Sequence, residues 1–142
     1  MIALWQWRCD MLERAPADAG RADELEHLVI WVDLLPDRPE SAFALVTRTL
    51  NLGARGNLLH IMWEWLTVLA PAWPQEALKT LRSGLAAEMR SEYPRPALDE
   101  LEPIFKALLA SDAAGVREQA IQIIARLVEE DFTEFASLRP AT

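Results

Sequence analysis

Proline clusters divide this chain into segments that are long enough for helices and carry a helical pattern of apolar residues. Six of the nine prolines fall in pairs, at positions 36 and 39, 71 and 74, and 94 and 96. Proline is disfavoured inside a helix and disfavours helix in the residue before it, so each pair marks a break. Between the breaks, apolar residues recur every three or four positions, without the sustained alternation of strands. The sequence therefore predicts an all-α protein.

The segments between the breaks define the expected helices. We predict helices over residues 2–14, 22–35, 40–52, 57–70, 75–92, 97–110 and 115–130, with a short helix near 131–138. Asp23, Ser41 and Asn57 lie near predicted helix starts, where short polar side chains cap free N–H groups. Gly84, inside the fifth helix, predicts close helix packing. A chain of 142 residues is expected to form one domain, 1–142, ending in a tail over 131–142.

The predicted helices group into three pairs, 22–52, 57–92 and 97–130, whose second members start 35 to 40 residues apart. That period is typical of α-solenoids. Pair 97–130 has a proline in its first helix, an aspartate in its turn, and then Val-Arg, a small residue and leucine-like residues, at positions Pro103, Asp112, Val116, Arg117, Ala120, Ile124 and Leu127.

This pattern resembles a HEAT repeat. The resemblance covers about a quarter of the chain, since the other two pairs match it poorly. It implies a short HEAT-like α-solenoid of about three helix pairs, with helix 2–14 as an N-terminal cap. In such a unit Asp112 and Arg117 are structural. The alternative is an irregular helical bundle with one accidental match.

The chain is acidic, with a formal net charge of −8 and a pI near 4.7. This charge argues against nucleic-acid binding and favours a basic protein partner. Nearly all of the net charge falls on the first helix of each pair, which is the convex side of a HEAT-like stack. The candidate partner-binding residues on this acidic face are Asp23, Glu24, Glu26, Asp99, Glu100 and Glu102.

The second helices carry mixed charge and form the concave side of such a stack. They predict an alternative partner-binding groove of Arg48, Asn51, Lys79, Arg90 and Gln122. Tryptophans are common interface anchors but also core residues. Whether Trp5, Trp7, Trp63 and Trp65 belong to the core or to an interface stays open at this point.

Catalytic and cofactor signals are weak. The chain lacks a Gly-x-Gly-x-x-Gly or phosphate loop, and lone Cys9 has no histidine placed beside it. Glu24 and His27 have the spacing of a di-iron motif, and His60 and Glu64 are one turn apart, but the second copy of the motif is missing. We therefore expect no catalytic residues, no metal site and no cofactor. A lone cysteine, together with the lack of a signal peptide or membrane span, favours the cytoplasm.

Size, charge and the lack of catalytic signals resemble the small acidic immunity proteins of bacterial toxin systems. The function expected from this resemblance is that of a non-enzymatic protein that binds and occludes a basic, toxin-like partner. A scaffold or adaptor subunit that uses the mixed groove is the first alternative. A HEAT-like nucleic-acid-modifying enzyme is a weaker alternative, because it would need a basic groove and more repeats.

Overall fold

Helices fill most of the described chain, in the places where the proline breaks predict them. The computed structural model describes residues 2–34, 39–56 and 59–140. The α-helices are α1 (Ile2–Glu13), α2 (Ala19–Ile30), α3 (Pro39–Asn51), α4 (His60–Leu69), α5 (Pro74–Met89), α6 (Leu98–Leu109) and α7 (Val116–Glu129). These ranges contain no β-strand, so the all-α prediction is confirmed. No helix among them is both long and apolar enough to cross a membrane.

The helix starts differ from the predicted ones where the capping residue was misassigned. Helix α2 begins three residues early, because the Asp18 carboxylate accepts a hydrogen bond from the Arg21 N–H at 2.9 Å and caps the helix. Asp23 and Ser41 therefore lie inside α2 and α3 rather than at their caps. Asn57, the third expected cap, lies outside the described residues.

Short 3₁₀ helices occur at two places where longer or regular helix was predicted. Residues Trp31–Leu34 continue α2 as a 3₁₀ turn, and Thr133–Leu138 forms a second one in the predicted tail. The tail packs against α6 and α7. There Phe135 is fully buried, with its ring centroid 6.2 Å from that of Phe105.

The helices contact one another in two rows. In one row α4 contacts α2 and α6, and in the other α5 contacts α3 and α7. The rows are joined by contacts within each predicted pair, α2 with α3, α4 with α5, and α6 with α7. Helix α1 packs on α3 and α2, at the start of the arrangement.

The buried faces follow the predicted apolar stripes. Helix α6 buries Leu101, Ile104, Phe105 and Leu108, and α7 buries Val116, Ala120, Ile124 and Leu127. Because residues three and four apart lie on one side of a helix, each of these sets faces the core.

Arginine side chains donate hydrogen bonds to carbonyl groups at the C-terminal ends of two helices. Arg117 donates to the Leu109 carbonyl at the end of α6, at 2.9 Å, which agrees with its expected structural role. Arg90 donates three hydrogen bonds to the carbonyls of Leu50 and Ala54, at 2.7 to 3.2 Å. These carbonyls lie in and after the last turn of α3, and the Leu50 carbonyl also accepts a hydrogen bond from the Gly53 N–H at 3.1 Å.

A buried polar contact joins α1 to α3. The Trp5 indole N–H donates to the Thr49 hydroxyl at 2.9 Å, and that hydroxyl donates to the Leu45 carbonyl at 2.7 Å. Cys9 is also fully buried, with its sulfur 3.4 Å from the same hydroxyl. Trp5 is therefore a core residue, and Cys9 has a packing role.

We expect Thr49→Val to lower the free energy of unfolding by about 1–2 kcal/mol, because the buried Trp5 N–H then lacks its acceptor. Chemical denaturation measures the change. Thr67→Val is the matched control. The Thr67 hydroxyl donates to the Trp63 carbonyl at 2.8 Å, but it is not the acceptor for a buried indole N–H. Equal losses in the two variants would contradict the role assigned to Thr49.

Candidate functional site: a carboxylate pocket

A cavity of about 270 Å³ lies near the C-terminal end of α5 and the N-terminal ends of α4 and α6. We call it the carboxylate pocket. Its lining combines two carboxylates with polar, apolar and basic residues, namely Gly56, Leu59, His60, Glu88, Ser91, Tyr93, Arg95 and Glu100.

Glu88 is the most perturbed acid in this pocket. The pKa of Glu88 is raised to about 7, chiefly by burial and to a smaller extent by the nearby carboxylates of Glu100 and Glu26, against an opposing hydrogen bond from Trp63. The Trp63 indole N–H donates to the Glu88 carboxylate at 3.3 Å. Near neutral pH the pocket therefore holds a carboxyl group that is only partly ionised.

Two glycines allow Trp63 and segment 54–56 to pack closely against α5 near Glu88. A Cβ at Gly84 would lie 2.5 Å from the Trp63 ring and 2.9 Å from the Met62 methyl group, so the missing side chain lets Trp63 pack against α5. The close packing predicted at Gly84 is confirmed. A Cβ at Gly56 would overlap the Glu88 backbone and lie 2.6 Å from its nitrogen, so only glycine lets the chain pass α5 at this point.

Carboxylates from two other helices lie close enough to Glu88 to raise its pKa. Glu100 belongs to the first turn of α6, and its Oε2 is buried without a hydrogen-bond partner among the described residues. Glu26, on α2, is 3% exposed and close enough to affect Glu88 electrostatically. The pocket region thus gathers acids from α2, α5 and α6.

The remaining polar residues of the pocket are exposed except for Ser91, which is buried. His60, Tyr93 and Arg95 are exposed, and the Ser91 hydroxyl donates to the Glu88 carbonyl at 2.7 Å. No three metal-ligating side chains among the described residues are grouped so that they could hold a metal ion. The chemistry that suits this pocket is the binding of a cationic group by carboxylates.

The structure separates the six residues of the predicted acidic face. Glu26 and Glu100 influence Glu88 electrostatically. By contrast, Glu24 pairs with Arg8, Glu102 pairs with Lys106 at 2.9 Å, and Asp23 lies 3.7 Å from Arg55. Asp99 is exposed. Glu26 was expected on an exposed face, and this part of the expectation is wrong, because its side chain lies on the buried side of α2 beside Leu25 and Val29.

The predicted mixed groove is also divided. Arg48 pairs with Asp10 at 2.7 Å and Glu13 at 3.2 Å, and Arg90 is held by the backbone carbonyls described above. Asn51, Lys79 and Gln122 are exposed. Of the five residues, only Gln122 lines the groove between α5 and α7.

Glu88 is not among the residues predicted from the sequence, although the sequence carries a signal for it. Glu88 follows Leu81 by seven positions, Gly84 by four and Leu85 by three, so it shares the buried stripe of α5. An acid on a buried stripe is unusual and is a candidate for a perturbed pKa.

The tryptophans left open by the sequence fall into different environments. Trp5 and Trp63 are buried, at 0% and 2% exposure. Trp65 is half-buried, with its ring centroid 5.0 Å from that of Phe43. Trp7 is 54% exposed, so it is the one of these four that lies open on the surface of the described chain.

Comparison with known proteins adds no family to this description. No protein-family model, curated protein or solved structure matches the chain. The functional conclusion therefore depends on the geometry of the chain itself.

Proposed function

We propose that the chain is a non-enzymatic protein-binding module of the immunity or antitoxin type, which binds and occludes a basic partner such as a bacterial toxin. Its proposed architecture is a short HEAT-like stack, with α2–α3, α4–α5 and α6–α7 as the helix pairs and α1 as the cap. The two rows of helix contacts and the match of residues 97–130 to the repeat pattern support this architecture.

The convergence of Glu26, Glu88 and Glu100 on one region carries the proposal. These carboxylates come from three helices, and Arg95 is the basic residue in the pocket lining. A lysine or arginine side chain of a partner that entered the pocket would offset the repulsion between the carboxylates. It would also supply charge-assisted hydrogen bonds to Glu88 and Glu100. The net charge of −8 would attract a basic partner over longer distances.

Affinity purification from the source cells tests this function with three baits. They are the wild-type chain, the double variant Glu88→Gln/Glu100→Gln, and the control Glu40→Gln/Glu118→Gln, which replaces two exposed carboxylates on α3 and α7 outside the pocket. We expect a basic protein to be captured by the wild type and the control, and capture by the pocket variant to fall at least about tenfold, the equivalent of about 1.4 kcal/mol.

Two further measurements use the captured partner. Stoichiometric addition of the chain should abolish the partner's activity, and raising the salt concentration should weaken binding by screening the charges. Equal capture by all three baits would contradict the role of the pocket. A bound partner that stays fully active would contradict occlusion.

A scaffold or adaptor subunit is the second candidate, favoured by the groove between α5 and α7. This groove has a volume of about 740 Å³, an apolar floor that includes Leu85, Met89 and Ile123, and charged residues such as Arg82 and Glu129. Such a surface fits an amphipathic helix. Capture of several partners that remain active, and their loss on Ile123→Asp, would favour the scaffold over the inhibitor.

A further inference from the structure

Helix α1 has apolar residues on two sides, and one of these sides is exposed to solvent. Trp5, Cys9 and Leu12 face the core. Leu4, Trp7 and Met11 are 56%, 54% and 46% exposed, and their spacing of three and then four residues places them along one side of the helix. We call these three residues the α1 stripe. Contiguous exposed apolar patches commonly mark interaction surfaces.

Three of the four charged residues in segment 2–14 have partners within the chain, and the fourth, Arg14, is exposed just beyond the end of α1. Arg8 pairs with Glu24, and both Asp10 and Glu13 pair with Arg48. Segment 2–14 contains two arginines and two acids, so its formal charge is zero in a chain of net charge −8. Two copies of such a chain repel each other in general, and this repulsion is weakest where they approach through segment 2–14, whose own formal charge is zero.

We propose that the α1 stripe is the interface of a homodimer, in which α1 packs antiparallel to α1 of a second copy about a two-fold axis near Trp7. This geometry is self-complementary, as a two-fold interface requires. It sets Trp7 beside the partner's Trp7, and Leu4 opposite the partner's Met11. The inference is independent of the carboxylate pocket and of the function proposed for it.

The area of the α1 stripe sets the strength of this dimer. Three large side chains that are about half exposed offer on the order of 300 Å² of apolar surface, whereas a stable interface buries about 800 Å² per partner. We therefore expect a weak, reversible dimer with a dissociation constant in the range of about 10–100 µM.

Sedimentation equilibrium between about 1 and about 500 µM, a range that spans this constant, tests the dimer with a charge-swap pair. We expect Leu4→Lys and Met11→Glu each to weaken self-association at least about tenfold, because each copy then buries a charge against an apolar residue. A mixture of the two variants should associate again. In the antiparallel mixed dimer, the Leu4→Lys side chain of one copy pairs with the Met11→Glu side chain of the other. The second contact, between Leu4 and Met11, is that of the wild type.

Val68→Lys is the control, since Val68 is 76% exposed on α4 and lies outside the α1 stripe. Circular dichroism melts of all variants establish that they remain folded. A wild-type chain that is monomeric over the whole range overturns the proposal, as does a mixture that fails to associate. Added salt should strengthen this dimer by screening the repulsion between the copies, opposite to its effect on a basic partner.

Discussion

Replacing Gly56 by alanine should destabilise the fold by about 3 kcal/mol, the largest effect that we expect from a single methyl group. A Cβ at this position would overlap the backbone of Glu88 and lie 2.8 Å from the Ala87 carbonyl oxygen. Backbone atoms of a packed helix cannot rotate away as a flexible side chain can. Residue 56 or α5 must therefore shift, and either movement disturbs the carboxylate pocket. Urea unfolding at neutral pH measures the loss.

Gly20→Ala is the matched control for Gly56→Ala. Gly20 is exposed within α2, and a Cβ there would meet only the Asp18 carboxylate, at an ordinary distance of 3.4 Å. Because alanine favours helix more than glycine does, this variant should be stabilised by about 0.5–1 kcal/mol. A Gly56→Ala variant as stable as wild type would show that the chain does not pass α5 as closely as described.

Replacing Glu88 by glutamine should stabilise the chain by about 2 kcal/mol at pH 8, after allowance for the partial exposure of this side chain. In the folded chain the pKa of Glu88 is raised from 4.5 to about 7, so folding favours the protonated form. The contribution of protonated Glu88 to the stability of the wild-type chain is complete below pH 4.5, decreases as the pH rises and is lost above about 7. The glutamine variant does not undergo this loss. Glutamine keeps an acceptor for the Trp63 N–H and carries no charge at any of these pH values.

Denaturant unfolding between pH 5 and pH 8 measures this effect as a difference between wild type and variant. Glu26 and Glu100 are present in both proteins, so the difference reports the charge of residue 88 together with its repulsion from these two carboxylates. The two stabilities should converge toward pH 5 and separate toward pH 8. Glu92→Gln, at an exposed position just beyond α5, should follow the wild type throughout. The same pH slope in Glu88→Gln and wild type would contradict the raised pKa.

The helices could be predicted from the sequence because proline and apolar spacing act locally. Pro39 and Pro74 each occupy the first position of a helix, and the apolar stripe of α6 is the face that the structure buries. The start of α2 was misplaced because Asp18 and Asp23 are both suitable caps. The choice between them depends on where the chain leaves α1, which local patterns do not encode.

The candidate site was predicted only in part, because it depends on contacts between distant segments. Glu26 and Glu100 could be identified as candidates from charge alone. Their proximity to Glu88 follows from the packing of α2, α5 and α6, and no spacing within one segment reveals it. The exposure of Trp7 could not be predicted either. Helix α1 has apolar residues on both sides, and its contacts with α3 determine which side is buried.

The bonds from Arg90 to the end of α3 also determine how the chain opens. Arg90 adjoins α5, whereas its acceptors Leu50 and Ala54 lie in and after the last turn of α3, so these bonds join two predicted helix pairs. Separating the last turn of α3 from α5 requires all three bonds to break. Amide protons in these two segments should therefore exchange with solvent as one cooperative unit, with a common opening free energy.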